Sequence, residues 1–155
     1  SLRGAVSRAP RTIEGGHVIF SIARNSQKID CAAYEPTRQF RDIIRKLHAG
    51  DQVAVCGSIK NKTLNLEKIE IHNLAKVFEE RNPKCKVCGK RMKSAGKGQG
   101  YRCRRCKTAA KEVERVEIAR DLIPGLYEVP PSARRHLAMP LIRVRKTGEN
   151  VFPSR

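Results

Sequence analysis

The sequence predicts a mainly β protein: a five-stranded barrel with one helix, followed by a four-cysteine ribbon and a basic C-terminal tail. Three observations carry that expectation. In the first eighty residues, apolar and polar residues alternate in five segments, the period of half-buried strands. One segment among them switches to the period of a helix. Two Cys-x2-Cys pairs then stand fourteen residues apart in a stretch rich in Lys, Arg and Gly.

The elements follow in order. LRGAVSR, residues 2–8, is a short candidate strand before Pro10. After Gly15-Gly16, His17 to Ile22 forms a second, closed by the turn residues Asn25-Ser26. Lys28 to Tyr34 forms a third, with Ile29, Cys31 and Ala33 on one face. In EPTRQFRDIIRKLHAGD, Phe40, Ile43, Ile44 and Leu47 fall at i, i+3, i+4 and i+7, one face of a helix with Thr37 as candidate N-cap and Gly50 as stop. Gln52 to Ile59 is a fourth strand, with Val53, Val55 and Gly57 on one side. Lys62-Thr63 opens a fifth, with Leu64, Leu66, Ile69 and Ile71 as apolar positions; the broken alternation between Leu66 and Ile69 leaves room for a bulge. The order β-β-β-α-β-β is that of an OB-fold, which presents a strand face and two loops to oligonucleotides or oligosaccharides.

Such barrels hold single strands by stacking bases on exposed aromatic rings. Phe40 is expected in the core. Phe20 and Tyr34 stand where a stacking platform would lie, with core packing as the competing reading. Gly15-Gly16 is read as a turn, or as a place where backbone comes close to the barrel or a ligand. Cys31 and Cys56 are isolated on apolar strands and are expected to pack as small hydrophobes.

The barrel should end near Arg81-Asn82-Pro83, dividing the chain into an OB-fold domain at 1–80, a zinc ribbon at 81–111 and a C-terminal segment at 112–155 that packs on the ribbon or on domains missing from this chain. Cys85, Cys88, Cys103 and Cys106 are the expected metal ligands. Two residues between paired cysteines let one tight turn aim both sulfurs at one ion, and four thiolates suit tetrahedral zinc. The fourteen intervening residues, with SAGKGQG among them, fit a hairpin and its tip. With four protein ligands no position remains for a reactive water, so the site is structural. Iron and a redox dithiol are the alternatives that spacing leaves open. Gly89 suits the turn after the first pair; Lys107 after the second departs from that pattern.

The net charge of +18 is unevenly placed. Residues 1–80 carry 13 basic and 9 acidic side chains, and residues 81–155 carry 20 and 6. Residues 84–107 hold ten Lys or Arg and no acid, where two positive charges would offset a four-thiolate zinc site. The excess reads as a phosphate-contacting surface. The candidate nucleic-acid contacts are Lys90, Arg91, Lys93, Lys97, Tyr101, Arg102, Arg104, Arg105, Arg134 and Arg135. Tyr101 either stacks on a base or covers the zinc hairpin. Glu112 to Leu122 reads as a strand or a short helix. Pro124-Gly125 and Pro130-Pro131 break regular structure before the tail PPSARRHLAMPLIR, where His136 is expected to be an ordinary surface residue.

Other classes are disfavoured. No apolar run approaches the ~20 residues of a membrane span. The start SLRGAVSRAPRT lacks the apolar core of a signal peptide, so a cytoplasmic, reducing compartment is expected. No P-loop, GxSxG or HExxH motif, and no HxE with PCxxC, occurs; a recognition module is expected, with no catalytic or cofactor-binding residue of its own. The chain opens at Ser1 without a Met, which suggests a piece of something longer.

GGHVIFSIARNSQKIDCAAYEPTRQFRDIIRKLHAGDQVAVCGS, then TLNLEKIEI, the four-cysteine ribbon and ARRHLAMPLIR together resemble the C-terminal half of the archaeal agmatidine synthases, the TiaS family of tRNA(Ile)-agmatinylcytidine ligases. The barrel alone also resembles the OB domain of exonuclease VII and related nucleases. The family resemblance implies an ATP-dependent enzyme that attaches agmatine to C2 of the wobble cytidine of an isoleucine tRNA with a CAU anticodon. It implies ATP and agmatine sites in N-terminal catalytic domains outside this chain, structural zinc in the ribbon, and tRNA as partner. The competing readings are a single-stranded DNA module of a repair nuclease and a ribosome-associated RNA-binding protein.

Overall fold

The computed structural model describes residues 1–133 and the backbone of residues 151–153. The predicted alternation becomes β1 (Leu2–Thr12), β2 (Val18–Arg24), β3 (Gln27–Ala33), β4 (Gln52–Lys60) and β5 (Thr63–Asn73), with α1 (Gln39–Arg45) between the third and fourth. The five strands close on themselves. β1 pairs antiparallel with β2 and β4, β2 with β3, and β4 with β5, while β3 meets β5 in parallel. Closure leaves no unpaired edge among the five. Asn25-Ser26 and Asn61-Lys62 take positive φ in succession, the backbone of two-residue hairpin turns.

The inward positions are those the alternation marks. Val18, Phe20, Cys31, Ala33, Val55 and Ile69 are fully buried, and α1 caps the barrel with Phe40 and Ile44, followed by Leu47. Fully burying one such side chain is worth about 1.5–3 kcal/mol. Phe20 is therefore core, while Tyr34 stands 43% exposed. Cys31 is buried as expected, and burial, with Asp30 nearby, pushes its thiol up to about 12.

Three local expectations are adjusted. First, β1 does not stop before Pro10. Its register to β2 slips between Val6 and Arg8 and again between Arg8 and Arg11, so the proline falls where the ladder is already interrupted. Second, Thr37 caps no helix. Its hydroxyl donates to the Tyr34 carbonyl at 2.6 Å, closing a 3-10 turn over Glu35–Thr37, and α1 starts two residues later. Third, Gly57 belongs to a close approach. Cys56 pairs with Lys68 but Gly57 with Leu66, so Glu67 bulges as the broken alternation allows, and a Cβ at 57 would lie 1.8 Å from the Asn65 carbonyl oxygen.

Beyond β5 come β6 (Val77–Arg81), β7 (Lys93–Ser94), β8 (Tyr101–Arg102), β9 (Ala109–Ala110), β10 (Glu114–Ile118), β11 (Gly125–Glu128) and β12 (Val151–Pro153). The segment 112–122 thus forms a strand, β10, paired with β6. β11 adds antiparallel to β5, and β12 lies parallel to β11. Val129 donates its N–H to the bulged Glu67 carbonyl at 3.0 Å, and Leu122, Tyr127 and Val129 join the barrel core. The chain consequently divides into two compact units: Ser1–Ala75 with the described residues from Arg120 onward, and Lys76–Ala119. The pairing of β6 with β10 closes the second unit on itself.

One buried carboxylate ties both ends of that excursion to the barrel. Asp51 is fully buried, immediately before β4. Its Oδ1 accepts from Ala75 N and Arg120 Nη1, each at 2.8 Å, and its Oδ2 accepts from His48 N and Arg120 Nη2, each at 2.7 Å. Burial opposes the charge, but the Arg120 hydrogen bond, the two backbone N–H groups and the guanidinium charge outweigh it and hold Asp51 below the usual carboxylate value. Arg120 also donates to the carbonyls of Ala75 at 2.7 Å and Lys46 at 3.1 Å.

Candidate metal centre and nucleic-acid surface

Two nearly identical turns build the ribbon. In the first, Gly89 N donates to Cys85 O and Cys85 N to Lys90 O, both at 2.8 Å. In the second, Lys107 N donates to Cys103 O and Cys103 N to Thr108 O, both at 2.9 Å. Each turn ends on a residue with positive φ, Gly89 at 70° and Lys107 at 59°. The lysine therefore adopts the glycine's conformation, and the departure in sequence leaves the turn unchanged. β7, β8 and β9 form a three-stranded sheet that carries the second turn back to the first.

The turns bring Cys85, Cys88, Cys103 and Cys106 together, with all four sulfurs within 4.8 Å of one another. Cys88 Sγ and Cys103 Sγ are 3.6 Å apart. A tetrahedral zinc ion with Zn–S near 2.3 Å would set its sulfurs about 3.8 Å apart, so the cage fits. The leading cysteine of each turn accepts hydrogen bonds that favour its thiolate. The Thr108 hydroxyl, 3.2 Å from Cys85 Sγ, and the N–H groups of Cys88 and Val87 draw Cys85 down to about 6. The N–H groups of Cys106 and Arg105 lower Cys103 in the same way. Cys106 is pushed up to about 12 by its hydrogen bond to Cys88, by burial and by its bond to Cys85. Four thiolates cannot share this space without a cation, and a divalent ion removes that conflict. Met92 is buried beside Cys85 and Cys103, and Tyr101 and Ala110 pack against them. Tyr101 thus covers the ribbon core.

The ten cations of residues 84–107 are all exposed. Arg91 is the one engaged with an acid among the described residues: it donates to Glu114 at 3.0 Å and to the Asn82 carbonyl at 2.7 Å. Lys90, Lys93, Lys97, Arg102, Arg104 and Arg105 form no described ion pair. Lys93 and Arg102 stand directly opposite each other across the β7–β8 pair. Like charges in that relation destabilise a sheet, and an anion between them would relieve the repulsion. A hollow of about 280 Å³ beside them is lined by Lys93, Ser94, Arg102, Arg104 and Lys107. Arg134, Arg135 and His136 lie outside the described residues.

Asp51, Arg120 and Thr108 escaped the sequence reading. Thr108 had one usable signal, its place two residues after the last cysteine. Asp51 and Arg120 had none, since they are 69 residues apart. No described helix is long and apolar enough to cross a membrane.

Residues 82–122 match the family model for the TiaS C-terminal zinc ribbon domain. The whole chain is similar to the isoleucine-tRNA 2-agmatinylcytidine synthetase TiaS of Methanosarcina mazei, 56% identical over 155 residues, which cover 99% of this chain and 36% of that protein. Among solved structures it is similar to a complex of TiaS with its isoleucine tRNA and ATP, with 54% identity, a TM-score of 0.84, and coverage of 97% of this chain and 35% of that one. A complex of TiaS with the same kind of tRNA, AMPCPP and agmatine follows at 50% identity and a TM-score of 0.79, covering 97% of this chain and 34% of that one. The chain spans about a third of the length of the curated relatives it matches. A closed five-stranded barrel, a tetracysteine ribbon inside the segment that matches the family's ribbon domain, and this identity from end to end lead to one conclusion: the chain belongs to the TiaS family.

Proposed function

We propose that this chain is the tRNA-holding portion of an enzyme that joins agmatine, with ATP, to C2 of the wobble cytidine of an isoleucine tRNA bearing a CAU anticodon. The nucleotide, agmatine and the bond-making residues belong to the catalytic portion of that enzyme, and the residues here bind and orient RNA. The observation that carries the reading is the ribbon's cationic face. Lys93 and Arg102 are set opposite each other at an energetic cost, beside Arg104 and Lys107. Phosphate contacts of this kind supply affinity and position, and sequence is read elsewhere. A four-cysteine metal site suits a reducing compartment such as the cytoplasm.

The test is a competition. The zinc-loaded protein is held on labelled tRNA(Ile) with a CAU anticodon at near-physiological salt, and challenged with another folded tRNA and with single-stranded DNA of matched charge. A folded tRNA should displace the label and the DNA should not. If only the tRNA with the CAU anticodon competes, part of the identity reading lies in this chain. DNA competing as well as either tRNA would overturn the proposal in favour of a nuclease-type module.

A further inference from the structure

Tyr34 follows three buried residues of β3 yet is 43% exposed. Its hydroxyl donates to Asn65 Oδ1 on β5 at 3.0 Å, and Asn65 is itself only 9% exposed. The polar tip thus faces the barrel, and the exposed area lies on the ring. The His17 ring meets it edge to face, centroids 5.2 Å apart at 73°. His17 is held in turn, because its Nδ1 accepts from Glu35 N at 3.0 Å. The tight turn before it lies close against the ring: a Cβ on Gly15, at φ 80°, would crowd His17 Nε2 at 3.1 Å. Behind Tyr34, Thr37 donates both its hydroxyl and its N–H to the Tyr34 carbonyl. An aromatic ring is therefore fixed from several sides and still offered to solvent. Nothing in core packing requires that.

A cation stands nearby in the chain. Arg38 is exposed, makes no side-chain hydrogen bond or ion pair among the described residues, and has φ 45° and ψ −117°, a conformation an L residue rarely takes. Such strain concentrates at binding sites. An exposed ring with an unpaired arginine four residues along the chain, in a protein of net charge +18, favours a π-faced group carried on a polyanion over a neutral sugar.

We propose that Tyr34, braced by His17, is a stacking platform for one unpaired RNA base, with Arg38 meeting the adjoining phosphate. The inference rests on the tRNA-holding reading and adds a second, base-directed contact on the barrel to the phosphate-directed one on the ribbon.

Two substitutions isolate the ring. Tyr34→Phe and Tyr34→Leu both lose the hydrogen bond to Asn65, and only the first keeps an aromatic face. The zinc-loaded protein is titrated with an RNA hairpin ending in a short single-stranded overhang that carries 2-aminopurine, and with a blunt hairpin of equal phosphate count. Wild type should prefer the overhang about tenfold and alter its fluorescence on binding, Tyr34→Phe should keep most of that preference, and Tyr34→Leu should lose it. Equal behaviour of the two variants, or no overhang preference in the wild type, would overturn the inference. Lys93→Ala with Arg102→Ala reports separately on the ribbon: it should weaken both hairpins alike. If that variant binds both as wild type does while Phe and Leu still differ, the ribbon's role falls and the stacking platform stands.

Discussion

The barrel and the ribbon are held together by different physics. The barrel gathers apolar residues from all five strands, α1 and the returning segment into one cluster around Phe20, Phe40, Ile44 and Ile69. The ribbon's cluster has three buried members, Cys85, Met92 and Cys103, and two of those are metal ligands. The charges divide in the same way. Lys76–Ala119 carries fourteen Lys or Arg against five acids, whereas residues 1–75 carry twelve against seven. A region that gains its folding free energy from a metal needs few apolar residues, and its surface is free to be cationic. A region that relies on burial must spend most of each strand on the core.

The largest expected effect breaks one half and spares the other. Cys103→Ser, or chelation of the zinc, should unfold the ribbon, because metal binding supplies on the order of 10–16 kcal/mol in small zinc domains. Amide resonances of 76–119 should lose dispersion while those of the barrel stay in place, and RNA affinity should fall. A ribbon that keeps its dispersion without metal would refute the contrast.

Arg120→Ala should do the reverse. It strands the buried Asp51 carboxylate and should lower barrel stability by about 3–5 kcal/mol, measured by urea unfolding, with the zinc content unchanged. The pH dependence follows from the sign of the shift. Asp51 is held below its unfolded value of about 3.9, so its contribution is complete above that pH and is lost as pH falls through the folded value. The gap between wild type and variant should therefore be full at pH 7 and shrink in acid. A gap that is independent of pH would mean that Arg120 acts through its carbonyl contacts alone.

Arg102→Ala sharpens the comparison of charges. Removing one of two opposed cations should stabilise the RNA-free ribbon by a few tenths of a kcal/mol. It should weaken RNA binding several-fold and lower the salt slope by about 0.7–0.9. Loss of both stability and affinity would point to a structural residue instead.

The smallest effect concerns the two turns. Lys107 takes the left-handed conformation that Gly89 takes without strain, so Lys107→Gly should favour the metal-bound ribbon by up to about 1 kcal/mol, read as a tighter zinc affinity in chelator competition. A weaker affinity would show that the lysine side chain supports the turn.

Much of this was legible beforehand, for local reasons. The strand that opens at Lys62-Thr63 and the room for its bulge follow from the spacing of Leu64, Leu66, Ile69 and Ile71, and the metal cage follows from Cys85-x2-Cys88 and Cys103-x2-Cys106. Pro10 misled because a proline ends a strand only where its N–H would have been needed, and that depends on the partner's register. Thr37 misled because its hydroxyl had two possible backbone partners, and the turn made by Pro36 brings the Tyr34 carbonyl to it.

By itself the sequence determined the period of each element, the ligand set and spacing of the metal site, and the sign and placement of the charge. Each is a property of residues near one another along the chain. Only the tertiary structure decided that Asp51 meets Arg120, that Glu67's bulged carbonyl is taken by Val129, that Phe20 is sealed while Tyr34 is held open, and that residues 77–81 pair with 114–118. These outcomes depend on which strands pair and in what register, and register brings together residues that no local period relates.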